Sequence, residues 1–268
     1  MATKGALRYD DRIRLAVDED RIATVTIDRP EKRNALSLSM WRALGEAFLA
    51  VATDRSCRCV ILTGAGAHFS AGADISEFKD VRATAEAGLA YDRINDETTR
   101  AIKECPKPVI AAVSGYAVGG GLGLALACDF RVADASARMG ITAGRLGLVY
   151  SILDCSLLAE RVGITAAKEI LFTGSVFEVD DARRLGLVDR RADGDVLTAA
   201  RALAQQIVPN APLSVSGNKA ILNAVADGSV RFRTSELEAH IARAFDSQDY
   251  AEGQRAFAER RRAVFVGS

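Results

Sequence analysis

"GGGLGLALACD", residues 119–129, stays small and apolar until its last position. Glycine costs about 1 kcal/mol relative to alanine in a helix interior, yet Gly119, Gly120, Gly121 and Gly123 open what otherwise reads as a buried helix. Stripping side chains from a first turn lets a ligand lie against backbone N–H groups that have no intrahelical partner. Those groups and the helix dipole favour negative charge, and a thioester oxygen becoming an enolate is well served there. Close helix–sheet packing is the competing explanation for the same glycines. A dinucleotide fingerprint is excluded, because Leu124 stands where its last glycine belongs and the stretch follows a late strand.

Outward from this point the chain alternates strand and helix. "RIRLAVDEDRIATVTIDRP" (12–30) alternates apolar and polar residues on either side of Asp18-Glu19-Asp20, which reads as a hairpin. In "SLSMWRALGEAFLAVAT" (37–53), Met40, Leu44, Phe48 and Val51 recur at helical spacing, with Ser37 or Ser39 as cap. "CVILTG" (59–64) and "PVIAAVSG" (108–115) read as strands buried on both faces, with a helical segment over 81–104 between them. "FRVAD" (130–134) is a further strand, and Cys57 and Cys59 are expected on one strand. The alternation predicts a parallel α/β core to about residue 205. From 206 to 268 the pattern is helical, so the chain divides into a core of residues 1–205 and a helical region of residues 206–268.

Composition narrows the function classes. The 268 residues are 49% hydrophobic and 26% charged, with 35 basic and 35 acidic side chains and a net charge of zero. Such a balance exerts no general pull on nucleic acid or anionic membranes. Five cysteines in no zinc spacing and two histidines argue for reduced thiols, a cytoplasmic setting and no metal site. No apolar run reaches the roughly 18 residues of a membrane span.

A second glycine-bearing loop, "GAGAHFSAGADISEF" (64–78), follows a predicted buried strand. Asp74 is placed to cap the next helix, with Glu77 completing a capping box. Two exposed-backbone loops at neighbouring strand ends can aim two N–H groups at one oxygen. "HFSAGADI" together with "KPVIAAVSGYAVGGGLGLALACD" resembles the crotonase (enoyl-CoA hydratase/isomerase) superfamily, and "RPEKRNALS", "ILFTG" and the helical tail extend the resemblance over nearly the whole chain. It implies a ββα spiral core with a C-terminal helical trimerisation region, a homotrimer or dimer of trimers, and an acyl-CoA thioester as substrate with no separate cofactor. By the same resemblance the oxyanion-hole N–H groups belong to Ala73 and Gly120. Arg33, Ala35, Ala71, Asp74 and Ile75 fall where the family contacts CoA. Asp74 has an equal claim to being only a cap.

The chain departs from the family's hydratases, which carry glutamates where this sequence has Gly123 and Ala143. Neither residue transfers a proton, and each acid–base group typically contributes roughly 10²- to 10⁴-fold. Decarboxylation, which needs an oxyanion hole but no strong base, and isomerisation therefore stand ahead of hydration. A non-catalytic acyl-CoA carrier is the alternative outside enzymes. "GITAGRLGLVYSI", "AKEILFTGS" and the chain's last residues resemble the methylmalonyl-CoA decarboxylases of the superfamily. Tyr150 and Thr142 match positions near the reacting carboxylate there, although Ala73 replaces their histidine. Asp154 is the best remaining candidate base, against an alternative role as helix cap. Tyr150 has the alternative of a half-buried tyrosine satisfied by backbone. His68 reads as a solvated surface residue or a phosphate contact. Cys128 and Cys155 read as core fillers. Arg255, Arg260, Arg261 and Arg262 read as a solvated face paired with Glu252 and Glu259, or as a phosphate contact.

Overall fold

In the computed structural model, which describes residues 7–268, the chain opens with three antiparallel strands, β1 (Leu7–Asp10), β2 (Ile13–Val17) and β3 (Ile22–Ile27). The acidic turn at 18–20 closes the predicted hairpin, and the Asp18 carboxylate accepts the Ile22 N–H at 3.0 Å. Helix α1 (Leu38–Thr53) begins where Ser37 accepts the Met40 N–H, and it buries the expected Met40, Leu44, Phe48 and Val51. β4 (Cys59–Gly64) returns parallel to β3. Cys57 lies ahead of that strand, so the two cysteines do not share it. The helical segment expected over 81–104 is instead a single turn, α2 (Phe78–Val81), followed by α3 (Ala85–Lys103), capped by Thr84.

β5 (Val109–Val113) pairs parallel with β4. Next come β6 (Tyr116–Val118), α4 (Gly120–Ala127), β7 (Phe130–Ala133) and β8 (Arg138–Gly140). α5 (Ile152–Thr173) is two helices joined at a kink, where Gly163 has φ 75°. β9 (Val176–Glu178), α6 (Val179–Arg184), β10 (Arg190–Arg191) and α7 (Val196–Ile207) lead to the tail helices α8 (Pro212–Ala226), α9 (Val230–Phe245) and α10 (Gln248–Ala258).

The strands form two sheets. The larger runs β1-β2-β3-β4-β5-β7-β10 and is parallel from β3 onward; the smaller is β6-β8-β9. Three-residue strands carry too little periodicity to be read from sequence, and the smaller sheet was not anticipated. It matters because β6 leads straight into the glycine-rich helix. β4 and β5 are buried on both faces: Val60 and Leu62 pack in one cluster with α1 and α4, while Cys59 and Ile61 join Val196, Ala200 and Leu203 of α7 in the other. That two-sided burial explains why their sequences are apolar without alternation. No helix among the described residues is long and apolar enough to cross a membrane.

Candidate active site

Three backbone segments meet at the ends of β4 and β5, and one buried side chain joins them. Asn34, fully buried, accepts the Arg29 N–H at 2.8 Å and donates to the carbonyls of Ala65 and His68. Its own carbonyl accepts the Ser70 hydroxyl at 2.8 Å. The loop after β4 is then stitched on both sides. Leu36 N–H donates to Gly72 and Asp74 N–H donates to Leu36, while Ser70 exchanges bonds with Tyr116 and Val118 of β6. Asn34 falls within "RPEKRNALS" with no role assigned from sequence; its contacts with Ala65, His68 and Ser70 lie 31 to 36 residues away, beyond any local sequence signal.

Among the described residues, the N–H groups of Ala73 and Gly120 have no protein acceptor. They are neighbours: a Cβ placed on Gly120 would stand 3.8 Å from the Ala73 nitrogen, and one on Gly72 would stand 2.9 Å from the Gly120 nitrogen. Close packing accounts for two of the glycines: a Cβ on Gly121 would overlap the Ser70 carbonyl, and one on Gly120 would crowd the Trp41 ring at 3.0 Å, while the Gly120 N–H keeps no protein acceptor.

Ala73 and Gly120 line a chamber of about 100 Å³ with Ala71, Ile75, Thr142, Ala143, Tyr150 and Asp154, all but one of them expected site residues. Asp92, Asn95, Asp96 and Arg82 contribute the charged and amide part of its wall from α3 and the residues before it. Thr142 precedes a short 3₁₀ turn, Ala143–Leu146, without capping it. The Tyr150 hydroxyl is buried and finds no partner, which overturns the reading of a tyrosine satisfied by backbone. Asp154 does not cap α5 either. Ser151 does, accepting the Asp154 N–H at 3.1 Å, and leaves the carboxylate free to point inward.

That carboxylate lies against Gly123: a Cβ on Gly123 would stand 3.1 Å from Asp154 Oδ1. Asp154 Oδ1 is buried and unpartnered. Burial first, then the negative charges of Asp96 and Asp92, push the Asp154 carboxyl up to about 7, and the Ser151 hydroxyl opposes them. Burial and the Asp154 charge raise the Tyr150 phenol well above its ordinary value. The site thus holds two empty N–H donors and one carboxyl poised near neutrality, a combination that supports proton transfer next to an oxyanion.

The proposed CoA contacts are divided. Ala71 and exposed Ile75 line the chamber mouth. Arg33 lies over the Tyr116 ring at 5.3 Å. The Ala35 carbonyl accepts from Arg29 at 3.2 Å. Asp74 is fully engaged, capping the turn Ile75–Glu77 through Ser76 and pairing with Arg29 and Lys32, each at 2.9 Å. Burial opposes its charge, but hydrogen bonds from Ser76 and Lys32 and the nearby Arg29 outweigh it and hold the carboxyl well below the usual range. The capping box does not form, because Glu77 accepts the Leu38 N–H that starts α1. His68 is not a solvated surface residue: its Nδ1 accepts the Tyr116 N–H at 3.2 Å and its ring packs on Tyr116. Arg255 and Arg261 pair with Glu252 at 2.8 and 2.6 Å, which fits the paired-face reading of that cluster.

Bare-backbone donors at the ends of two parallel strands, on a spiral α/β frame, define an acyl-CoA enzyme of the crotonase type. The sequence profile of the enoyl-CoA hydratase/isomerase family matches residues 18–268, and the chain belongs to that family. A carnitinyl-CoA dehydratase from Salmonella typhi is 36% identical over 92% of this chain and 95% of its own length. A short-chain-enoyl-CoA hydratase from Clostridium acetobutylicum is 33% identical over 91% and 94%. A crystal structure described as an enoyl-CoA hydratase/carnithine racemase from Magnetospirillum magneticum matches with a TM-score of 0.90 at 38% identity, covering 97% of both chains.

Proposed function

We propose that the protein moves a proton on a short acyl-CoA thioester through an enolate, as a double-bond isomerase with Asp154 as its single base. One observation carries this reading: the Asp154 carboxylate occupies the space in front of Gly123, beside the free N–H groups of Ala73 and Gly120. The thioester oxygen accepts both N–H bonds, which stabilise it most as charge develops. The Asp154 carboxylate removes a proton from the carbon next to the thioester and returns it two carbons further along. Tyr150 presents its hydroxyl to the same space. Arg33, Ala35, Ala71 and Ile75 lie on the CoA side, with Asp74 holding Arg29 and Lys32 in place beside them. CoA enters as part of the substrate, and the protein works as a trimer or a dimer of trimers in the cytoplasm.

Decarboxylation falls behind for an electrostatic reason. The chamber wall carries Asp92, Asp96 and Asp154, and its one arginine, Arg82, is committed to Asp92 at 2.6 Å. A substrate carboxylate would meet repulsion there. Hydration remains the second reading, favoured by the names of the relatives, with Asp154 alone managing the water. The test is to incubate the protein separately with a 3-enoyl-CoA, crotonyl-CoA and methylmalonyl-CoA, following mass and chromatographic position. Isomerisation in the first tube, lost in Asp154→Asn, is the expected result. Water addition to crotonyl-CoA establishes the second reading, loss of carbon dioxide restores decarboxylation, and binding without turnover identifies a carrier.

A further inference from the structure

We infer that Asp96 is a positioning residue which, through Ser151, carries the proton of Asp154 out of the acyl chamber into a separate polar cleft. The inference rests on Asp154 being the proton-transfer group. The Ser151 hydroxyl donates to Asp96 Oδ1 at 2.8 Å and accepts the Asp154 N–H at 3.1 Å. One hydroxyl therefore stands between Asp96 and the helical turn that carries the Asp154 carboxyl. Asp96 lines the acyl chamber and also a second cavity of about 790 Å³ between α3, α5, α8 and α9, whose wall includes Arg100, Lys103, Glu160 and Lys219. Of the carboxyl groups around the chamber, Asp92 is paired with Arg82, Asp154 is enclosed, and Asp96 makes no ion pair among the described residues.

The groups facing Asp154 are Asp92 and Asp96 from α3, Tyr150 and Ser151 from the segment before α5, Cys155 beside it, and Gly123 of α4, which has no side chain. After Asp154 has taken a proton from carbon, its O–H passes that proton to Ser151 Oγ while the Ser151 O–H bond breaks toward Asp96. Asp96 releases its proton to water in the cleft, and the same transfers run in reverse bring a solvent proton back to Asp154, which gives it to the far carbon. Hydrogen taken from the substrate is thereby exchanged with solvent without opening the CoA side.

The experiment uses a 3-enoyl-CoA dideuterated at the carbon next to the thioester, with deuterium retention in the product read by mass spectrometry. Wild type loses label to water in most turnovers. Asp96→Asn and Ser151→Ala retain severalfold more. Glu104→Gln removes an equal charge from the cleft wall, outside the acyl chamber, and leaves retention at the wild-type level. Equal retention in wild type and Asp96→Asn overturns the relay, as does a matching rise in Glu104→Gln. A wild type that does not isomerise sinks the functional reading instead. The relay is then tested on the unliganded protein by the rate at which the Asp154 carboxyl band shifts in D2O, assigned by its loss in Asp154→Asn. Severalfold slowing in Asp96→Asn supports the relay, and an unchanged rate overturns it.

Discussion

Asp154 sits where two physical demands conflict. Enclosure without a partner for Oδ1 disfavours its charge, and so do Asp96 and Asp92, yet a base must be charged to act. A carboxyl pushed up to about 7 meets both, because it is half ionised near neutrality and its conjugate acid returns the proton readily. Asp154→Asn is expected to cut turnover by roughly 10²- to 10⁴-fold while acyl-CoA affinity, measured by calorimetry, is kept. In wild type, kcat/KM should rise with pH through about 7, the region where the carboxyl ionises. The same shift marks stability. Between the ordinary value of 3.8 and about 7 the folded protein holds a proton that the unfolded chain has lost. Stability therefore falls as pH rises across that window, by at most about 1.4 kcal/mol per unit. Urea unfolding of Asp154→Asn should show a flatter pH dependence there. A profile identical to wild type would place the ionising group elsewhere.

At the scale of elements, the oxyanion pair depends on α4 lying flush against the loop after β4. Gly121→Ala forces a methyl into the Ser70 carbonyl, and overpacking of this kind costs about 1–3 kcal/mol. The displaced loop carries Ala73, so kcat/KM should fall further than stability alone accounts for; full activity in a folded Gly121→Ala would show that the two segments need not touch. Asn34 supports the same junction from the other side. Asn34→Ala leaves the Arg29 N–H and the Ala65 and His68 carbonyls without their partner, and a buried unsatisfied group costs about 1–3 kcal/mol. Chemical denaturation should register a loss of that order or larger. The cap at Ser151 fixes the start of α5 and with it the turn that carries Asp154 toward α4.

Across the whole molecule, large apolar side chains remain uncovered. Val149 is 91% exposed and Ile152 89%, beside the chamber; Phe172 is 81% exposed on α5 and Phe257 88% on α10. Patches of this kind mark association surfaces, and we propose that they are covered in the trimer or hexamer that the family resemblance implies. Sedimentation velocity should give three or six times the 28.5 kDa chain mass. A monomer at micromolar concentration would remove assembly from the account of the site.

Periodicity and bare backbone were enough to read the parallel strands Cys59–Gly64 and Val109–Val113, the amphipathic helix at Leu38–Thr53, the tail helices and the glycine-opened helix at Gly120. Local rules govern these elements, since the pattern of buried positions and the absence of side chains are written into adjacent residues. The small sheet was not legible, because three-residue strands have no pattern of their own. Nor was the choice between cap and base at Asp154, between capping box and α1 partner at Glu77, or between surface and packed ring at His68. Each side chain has a short-range and a long-range option of similar strength, and only the approach of segments 30 or more residues apart selects between them. Sequence shows that Gly123 cannot be an acid; tertiary structure alone brings Asp154 from the next helix into the space that glycine leaves.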